Sequence, residues 1–273
     1  MIFKKIKINK IELKNRIVAS PMCQYSALKG CPSNWHYTHL QKLSSTGAGM
    51  VMLESTAINK IGRITKSDLC LYNDTQEKSL KKLIVDLKNK NEIKYGIQIS
   101  HAGRKGSSEI PWVKANTPLS KKKSWNTVSA SSIKKDKKWP NPYCLDQKQI
   151  KKIILDFKNA AKRANKINFD CLEIHMAHGY LLHQFFSPIS NNRKDKYGGN
   201  FENRSRFLIE VSREIRKIWP KNKILGARIT GTDHLKNGIN INESILLAKK
   251  LKKVGLDYVS VSSGGIIPIT KMK

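Results

Sequence analysis

Apolar residues in this chain gather into short runs, and between them apolar and lysine positions recur with a helical period. RIVASPM (16–22), GMVMLESTAI (49–58), YGIQISH (95–101), DCLEIHM (170–176), ILGARIT (224–230) and DYVSVSSGG (257–265) predict six strands. Residues 36–47, 76–89, 146–166, 203–219 and 242–255 predict five helices. Gly47 and Gly255 stand where C-caps belong, Asn242 reads as an N-cap, and Pro220 ends the fourth helix.

The stretch 102–146 breaks the rhythm. It is rich in Lys, Ser, Trp and Pro, it holds KKKSW and KKDKKWPNP, and it shows no clean period. It reads as a long excursion after the third strand that contains a short hairpin and caps the molecule as a lid, because loops of this length usually serve function.

Alternating strands and helices predict an α/β fold. In this order they predict a TIM (β/α)8 barrel, a fold of eight strands and typically about 250 residues. Only six βα units are legible, so an open doubly wound sheet is the competing architecture. Polar residues decide between them. Ser20 to Cys23, Glu54 to Ala57, Gln98, His101, His175, His178, Arg228, Ser262 and Ser263 fall toward the C-terminal ends of the strands, where barrel enzymes keep their chemistry. One domain spanning 1–273, with 102–146 as its cap, is the expected organisation.

Composition changes the picture little. Hydrophobic residues make up 39%, enough for a sizeable core. The net charge of +32 invites a nucleic-acid reading. Yet 42 lysines stand against ten arginines, with abundant Asn and Ile, and this is what AT-rich codons supply. Readers of bases and phosphates lean on arginine instead. A basic nucleic-acid-binding protein is therefore only a minor alternative. The five cysteines (23, 31, 70, 144, 171) form no C-x-x-C pair, which argues against a disulfide framework or zinc site and fits a reduced, cytoplasmic setting. No run is long enough to span a bilayer, and the N-terminus does not read as a signal peptide.

The densest chemistry is EIHMAHGYLLHQFFSP at 173–188. His175, His178 and Tyr180 could bind a metal with Glu173 as third ligand, deliver protons, or fill space; spacing alone leaves all three open.

SPMCQYS (20–26), GRI (62–64), GIQISHAGRK (96–105), EIHMAHGYLLHQFFSPISNNR (173–193), YGGNFENRSRF (197–207) and VSSGG (261–265) together resemble the Old Yellow Enzyme family of flavin oxidoreductases. The cysteine in SPMCQYS and the paired histidines resemble its thermophilic-like, xenobiotic-reductase subclass. The resemblance covers essentially the whole chain in fixed order. It implies an FMN-bearing barrel, reduced by NADPH or NADH, that passes hydride to the β-carbon of an enone. No metal is implied. By the same resemblance His175 and His178 bind the substrate carbonyl, Tyr180 donates the proton and Tyr25 contacts substrate. Cys23 tunes the flavin, and Ser20, Pro21, Met22, Ala57, Gln98 and Arg228 hold it.

Family members continue through a seventh and eighth strand that carry the FMN phosphate site. This chain ends IIPITKMK, eight residues after Gly265. The expectations are a fragment of a longer enzyme with unpaired edges on its first and sixth strands, or an inactive remnant. Relatives of this kind often form homo-oligomers.

Overall fold

The computed structural model describes residues 1–267. A small hairpin comes first: β1 (Ile6–Ile8) pairs antiparallel with β2 (Ile11–Leu13) across Asn9 and Lys10. Asn9 has φ 55°, the left-handed conformation that tight hairpin turns favour. Run length does not reveal this hairpin; its signal is the alternation in IKINKIEL.

In chain order the other strands are β3 (Val18–Ala19), β4 (Met50–Ala57), β5 (Lys94–Ser100), β6 (Val128–Ser129), β7 (Tyr143–Cys144), β8 (Cys171–Met176), β9 (Ile224–Thr230) and β10 (Tyr258–Ser262). The helices are α1 (Asn34–Ser44), α2 (Asp74–Lys90), α3 (Pro111–Lys114), α4 (Gln147–Ile167), α5 (Leu181–Phe186), α6 (Phe201–Arg216) and α7 (Ile241–Val254).

Six strands form one all-parallel sheet whose spatial order, β3-β4-β5-β8-β9-β10, is also their order in the chain. A doubly wound sheet reverses its order at a switch point. None occurs here, and the fold is of the (β/α)8 type with six strands among the described residues. Edge exposure is visible at both ends, with Val18 38% and Val261 61% exposed.

Local chemistry sets the helix ends. Asn73, Asp146, Asn200 and Asn240 each accept a hydrogen bond from the backbone N–H three residues on, opening α2, α4, α6 and α7. The last cap is therefore Asn240, two residues earlier than the apolar pattern places it. The buried stripe of α4, Ile150, Ile153, Phe157, Ala160, Ala161, Ala164 and Ile167, repeats every three to four residues and seats the helix in the main core. A second cluster, Leu13, Met50, Met52, Cys171 and Ile224, lies beneath the hairpin at the N-terminal ends of the strands. Chemistry is thus left to the opposite end.

Two expectations need correction, and one helix is new. The first strand pairs only at Val18–Ala19, because Pro21 has no N–H to give a ladder and the chain turns off toward Glu54. The excursion's antiparallel pairing is a single bridge between Ser108 and Pro118, flanked by Glu109 N–H to Thr117 and Leu119 N–H to Ser107, rather than a two-stranded hairpin. β6 and β7 run parallel, with Val128 opposite Tyr143, so the lysine- and proline-rich segment between them doubles back before pairing. The apolar run LLHQFF forms α5; every residue in it is buried, so no amphipathic period marks it.

Candidate active site

A pocket of about 240 Å³ opens at the C-terminal ends of the strands. Pro21, Cys23 and Tyr25 enter it from the turn after β3, Ser55 from β4, Gln98 from β5 and Arg228 from β9. His175 comes from the end of β8, and His178 and Tyr180 from the loop that follows. Residues far apart in sequence meet because parallel strands end together.

The turn after β3 is held by a bulge. The β4–β5 register shifts between Leu53 and Ser55. Glu54, the bulged residue, accepts a hydrogen bond from the Gln24 backbone N–H at 2.6 Å and pairs with buried His36 at 2.9 Å. Ser55 is thereby aimed at the pocket, as bulges commonly re-aim a side chain. Tyr25, at φ 48°, turns its ring toward Trp112 of α3, with the centroids 5.9 Å apart.

The histidine pair is wired in one direction. The Ala177 N–H donates to His175 Nδ1 at 3.2 Å, so the His175 proton sits on Nε2, which lies 3.3 Å from His178 Nδ1. His178 then carries its own proton on Nε2, 2.6 Å from Ser262 Oγ. Burial is the largest influence on both rings, reinforced at His175 by His178 and at both by Arg228 and Lys105. It pulls His178 down to about 4 and His175 well below the usual histidine range. Both are neutral donors at physiological pH. Tyr180 packs edge-on to His175 at 4.7 Å, and burial raises its phenol well above the ordinary value, so it keeps its proton. Burial and the Glu54 carboxylate likewise keep Cys23 a thiol.

Gln98 Nε2 donates to Glu173 at 2.7 Å, and Tyr258 donates to the other Glu173 oxygen at 2.9 Å. This commits Glu173 below the pocket rather than to the histidines. No cluster of potential metal ligands occurs among the described residues. Arg228 Nε is buried without a hydrogen-bond partner. An orphaned guanidinium N–H beside an amide is a ready donor for the carbonyl or ring nitrogen of a heterocycle.

The remaining sequence candidates sit nearby. Ser20 lines an adjoining cavity of about 280 Å³ under the β1–β2 hairpin, and Pro21 borders both cavities. Met22 is 53% exposed and lies by Gln24, His36 and His39. Ala57 is buried, its backbone paired with Leu69 and Leu71. Ser55 lies within the 54–57 stretch that the sequence places at a strand end, where nothing singled it out from its neighbours. Ser262 stands in VSSGG at a strand end, and that position was its only signal.

A buried brace supports the histidine loop. Gly179 N–H donates to His183 Nδ1 at 2.7 Å, and His183 Nε2 donates to Asp233 at 2.9 Å. Ser187 and the Ile239 N–H also donate to Asp233. Burial opposes ionisation of Asp233, but these bonds outweigh it and hold the carboxyl below its usual value. Its stabilisation is therefore present at neutral pH and lost as acid passes through the depressed value. Gly179 (φ 72°) is required in this loop, since a Cβ there would lie 2.0 Å from the Gly265 carbonyl oxygen. Asp233→Asn should cost about 1–3 kcal/mol by setting an amide N–H against a buried donor, read as a lower urea midpoint at pH 7. An unchanged midpoint would deny the brace a stabilising role.

Comparisons with known proteins follow the same lines. A sequence profile described as the NADH:flavin oxidoreductase / NADH oxidase family matches residues 1–272. An NADPH dehydrogenase of Listeria monocytogenes is 39% identical over 270 residues, covering 98% of this chain and 75% of that protein. One from Clostridium acetobutylicum is 40% identical over 271 residues, with the same coverage. The crystal structure of Old Yellow Enzyme from Pichia sp. AKU4542 superposes with a TM-score of 0.81 at 26% identity, over 95% of this chain and 70% of that one. The chain therefore belongs to the NADH:flavin oxidoreductase / NADH oxidase family and is an Old Yellow Enzyme-type oxidoreductase that carries FMN and takes hydride from NAD(P)H.

Proposed function

We propose that this enzyme reduces the C=C bond of α,β-unsaturated carbonyl compounds. One observation carries the reading: two neutral imidazoles and a protonated phenol converge on the pocket that also holds an unpartnered arginine N–H. The arginine is what a flavin's pyrimidine edge needs. Arg228 would donate to its electron-rich side, and the Gln98 amide would serve the same edge. Pro21, Met22, Cys23 and Ala57 would flank the ring system, with Ser20 at its margin. Bound FMN supplies the hydride that reaches the substrate's β-carbon.

The chain's own residues account for the rest. As hydride arrives, negative charge builds on the substrate oxygen, and the His178 Nε2–H, turned from Ser262 to that oxygen and backed at Nδ1 by the His175 N–H, would lower the barrier. Neutral rings suit this, because they donate without surrendering a proton. The α-carbon takes its proton from the Tyr180 hydroxyl, a general acid held in place. Tyr25 and Trp112 would border the substrate's far side, giving the 102–146 excursion the part of a lid.

The test is anaerobic. NADPH-reduced protein mixed with 2-cyclohexenone should regain oxidised-flavin absorbance and yield cyclohexanone, whereas cyclohexanone itself should do nothing. A flavin that stays reduced in the presence of the enone would sink the reading.

A further inference from the structure

Lys105 has no part in the roles above, yet it touches two of the residues that carry them. It ends a one-turn 3-10 helix, Gly103–Lys105, just beyond β5. Its Nζ donates to the His178 carbonyl oxygen at 2.7 Å and stands 5.0 Å from the centre of the Tyr180 ring. The same ammonium thus grips the loop that carries one histidine and lies over the face of the phenol.

Its surroundings are unusual for a lysine. No ion pair to a carboxylate forms at Lys105 among the described residues. The charged and titratable groups that face it are Arg104 from its own turn, Lys135 from the excursion, Cys23 from the turn after β3, His175 from the end of β8, and His178 with Tyr180 from the loop that follows. Arg104 is tied to the carbonyls of Ile133 and Ile266, and Lys135 lies over Trp139 at 4.1 Å. Asp233 opposes Arg104 and Asp136 opposes Lys135, whereas no carboxylate among the described residues pairs with Lys105. A solvated lysine would avoid such a place. A lysine kept there is explained if an anion forms beside it during turnover.

We propose that Lys105 is a functional member of the proton-transfer site, its ammonium stabilising the phenolate that Tyr180 becomes on protonating substrate. The inference rests on Tyr180 being the acid. In the step itself, the Tyr180 O–H bond breaks and a C–H bond forms at the substrate α-carbon. The O–H electron pair stays on the phenol oxygen, and solvent later returns the proton. That charge spreads over the Tyr180 ring, whose centre lies 5.0 Å from the Lys105 ammonium, and a cation so placed in a partly dry site stabilises it.

A pH signature follows. Burial, then repulsion from Lys135 and Arg104, lowers Lys105 to about 7. The ammonium is present below that pH and lost above it, so its contribution should fade as pH rises through about 7.

The first experiment measures enone-dependent flavin reoxidation from pH 5.5 to 9 in wild type, Lys105→Met and Lys105→Arg. Wild type should slow as pH passes 7. Lys105→Met should be about tenfold slower at pH 6 and lack that inflection, while reduction by NADPH changes less. Lys105→Arg should keep most of the pH 6 rate and hold it to pH 9, since guanidinium stays charged. Wild-type behaviour in Lys105→Met, or equal loss in both variants, overturns the lysine proposal alone. Absence of enone reduction in wild type removes the acid role from Tyr180 and takes this inference with it.

The second experiment needs no turnover. The Lys105 side chain is followed by NMR with labelled lysine, its signal assigned through Lys105→Arg. A fixed anion in Tyr180→Glu should move its titration midpoint up by about one to two pH units. A midpoint that does not move shows that charge at position 180 is not felt at Lys105, and the proposal fails.

Discussion

In His178→Ala the rate constant for flavin reoxidation by an enone should fall by about 10²–10³-fold, the usual cost of losing one preorganised donor to a developing oxyanion. The reduction of flavin by NADPH should change far less, because no oxyanion forms in that step. The size of the effect follows from the wiring of the pair. His175 passes its N–H toward His178, and His178 presents Nε2–H beside Ser262. Removing His178 deletes one donor and leaves the other without its directing acceptor. With His178 lowered to about 4 mainly by burial, the step should show no inflection from this ring above about pH 5. Stopped-flow absorbance of the two half-reactions separates the possibilities. Equal losses in both would mean that His178 anchors no carbonyl and merely supports the pocket.

Tyr180→Phe should slow the same oxidative step by about 10²–10⁴-fold, the range over which a positioned general acid acts. The substitution keeps the ring that packs on His175 at 4.7 Å and the face that meets Lys105, so the pocket should keep its shape. Only the O–H is removed. Enone binding, read as the substrate dependence of the rate, should stay within a few-fold of wild type, and kcat should carry the loss. An unchanged oxidative rate would take Tyr180 out of the chemistry and assign the proton to water.

The two histidines, Tyr180, Gln98, Arg228, Cys23 and Tyr25 were legible because short motifs fix them at the ends of recognisable strands, and parallel strands bring their ends together. Elements whose pattern depends on tertiary burial were less legible. α5 is apolar on every side because it is buried on every side. β3 is cut to two residues by Pro21 and the pull of Glu54 on Gln24, a contact across 30 positions. Ser55 faces the pocket only because Glu54 is bulged out of register. The brace from Gly179 through His183 to Asp233 joins segments 50 positions apart. His183 in the sequence is only one more residue in an apolar run. Its burial and its bonds to Gly179, Thr230 and Asp233 make it the support of the loop that carries His178.

In the proposed mechanism one pocket holds both the flavin and the carbonyl-binding histidines. The most direct test is the visible spectrum of the oxidised, FMN-loaded protein titrated with 2-cyclohexenone in the absence of reductant. The account predicts a saturable shift of the flavin bands in wild type, retained in Tyr180→Phe and lost in His178→Ala, with bound FMN unchanged in all three. A flavin spectrum indifferent to the enone, or a shift that survives His178→Ala undiminished, would contradict it.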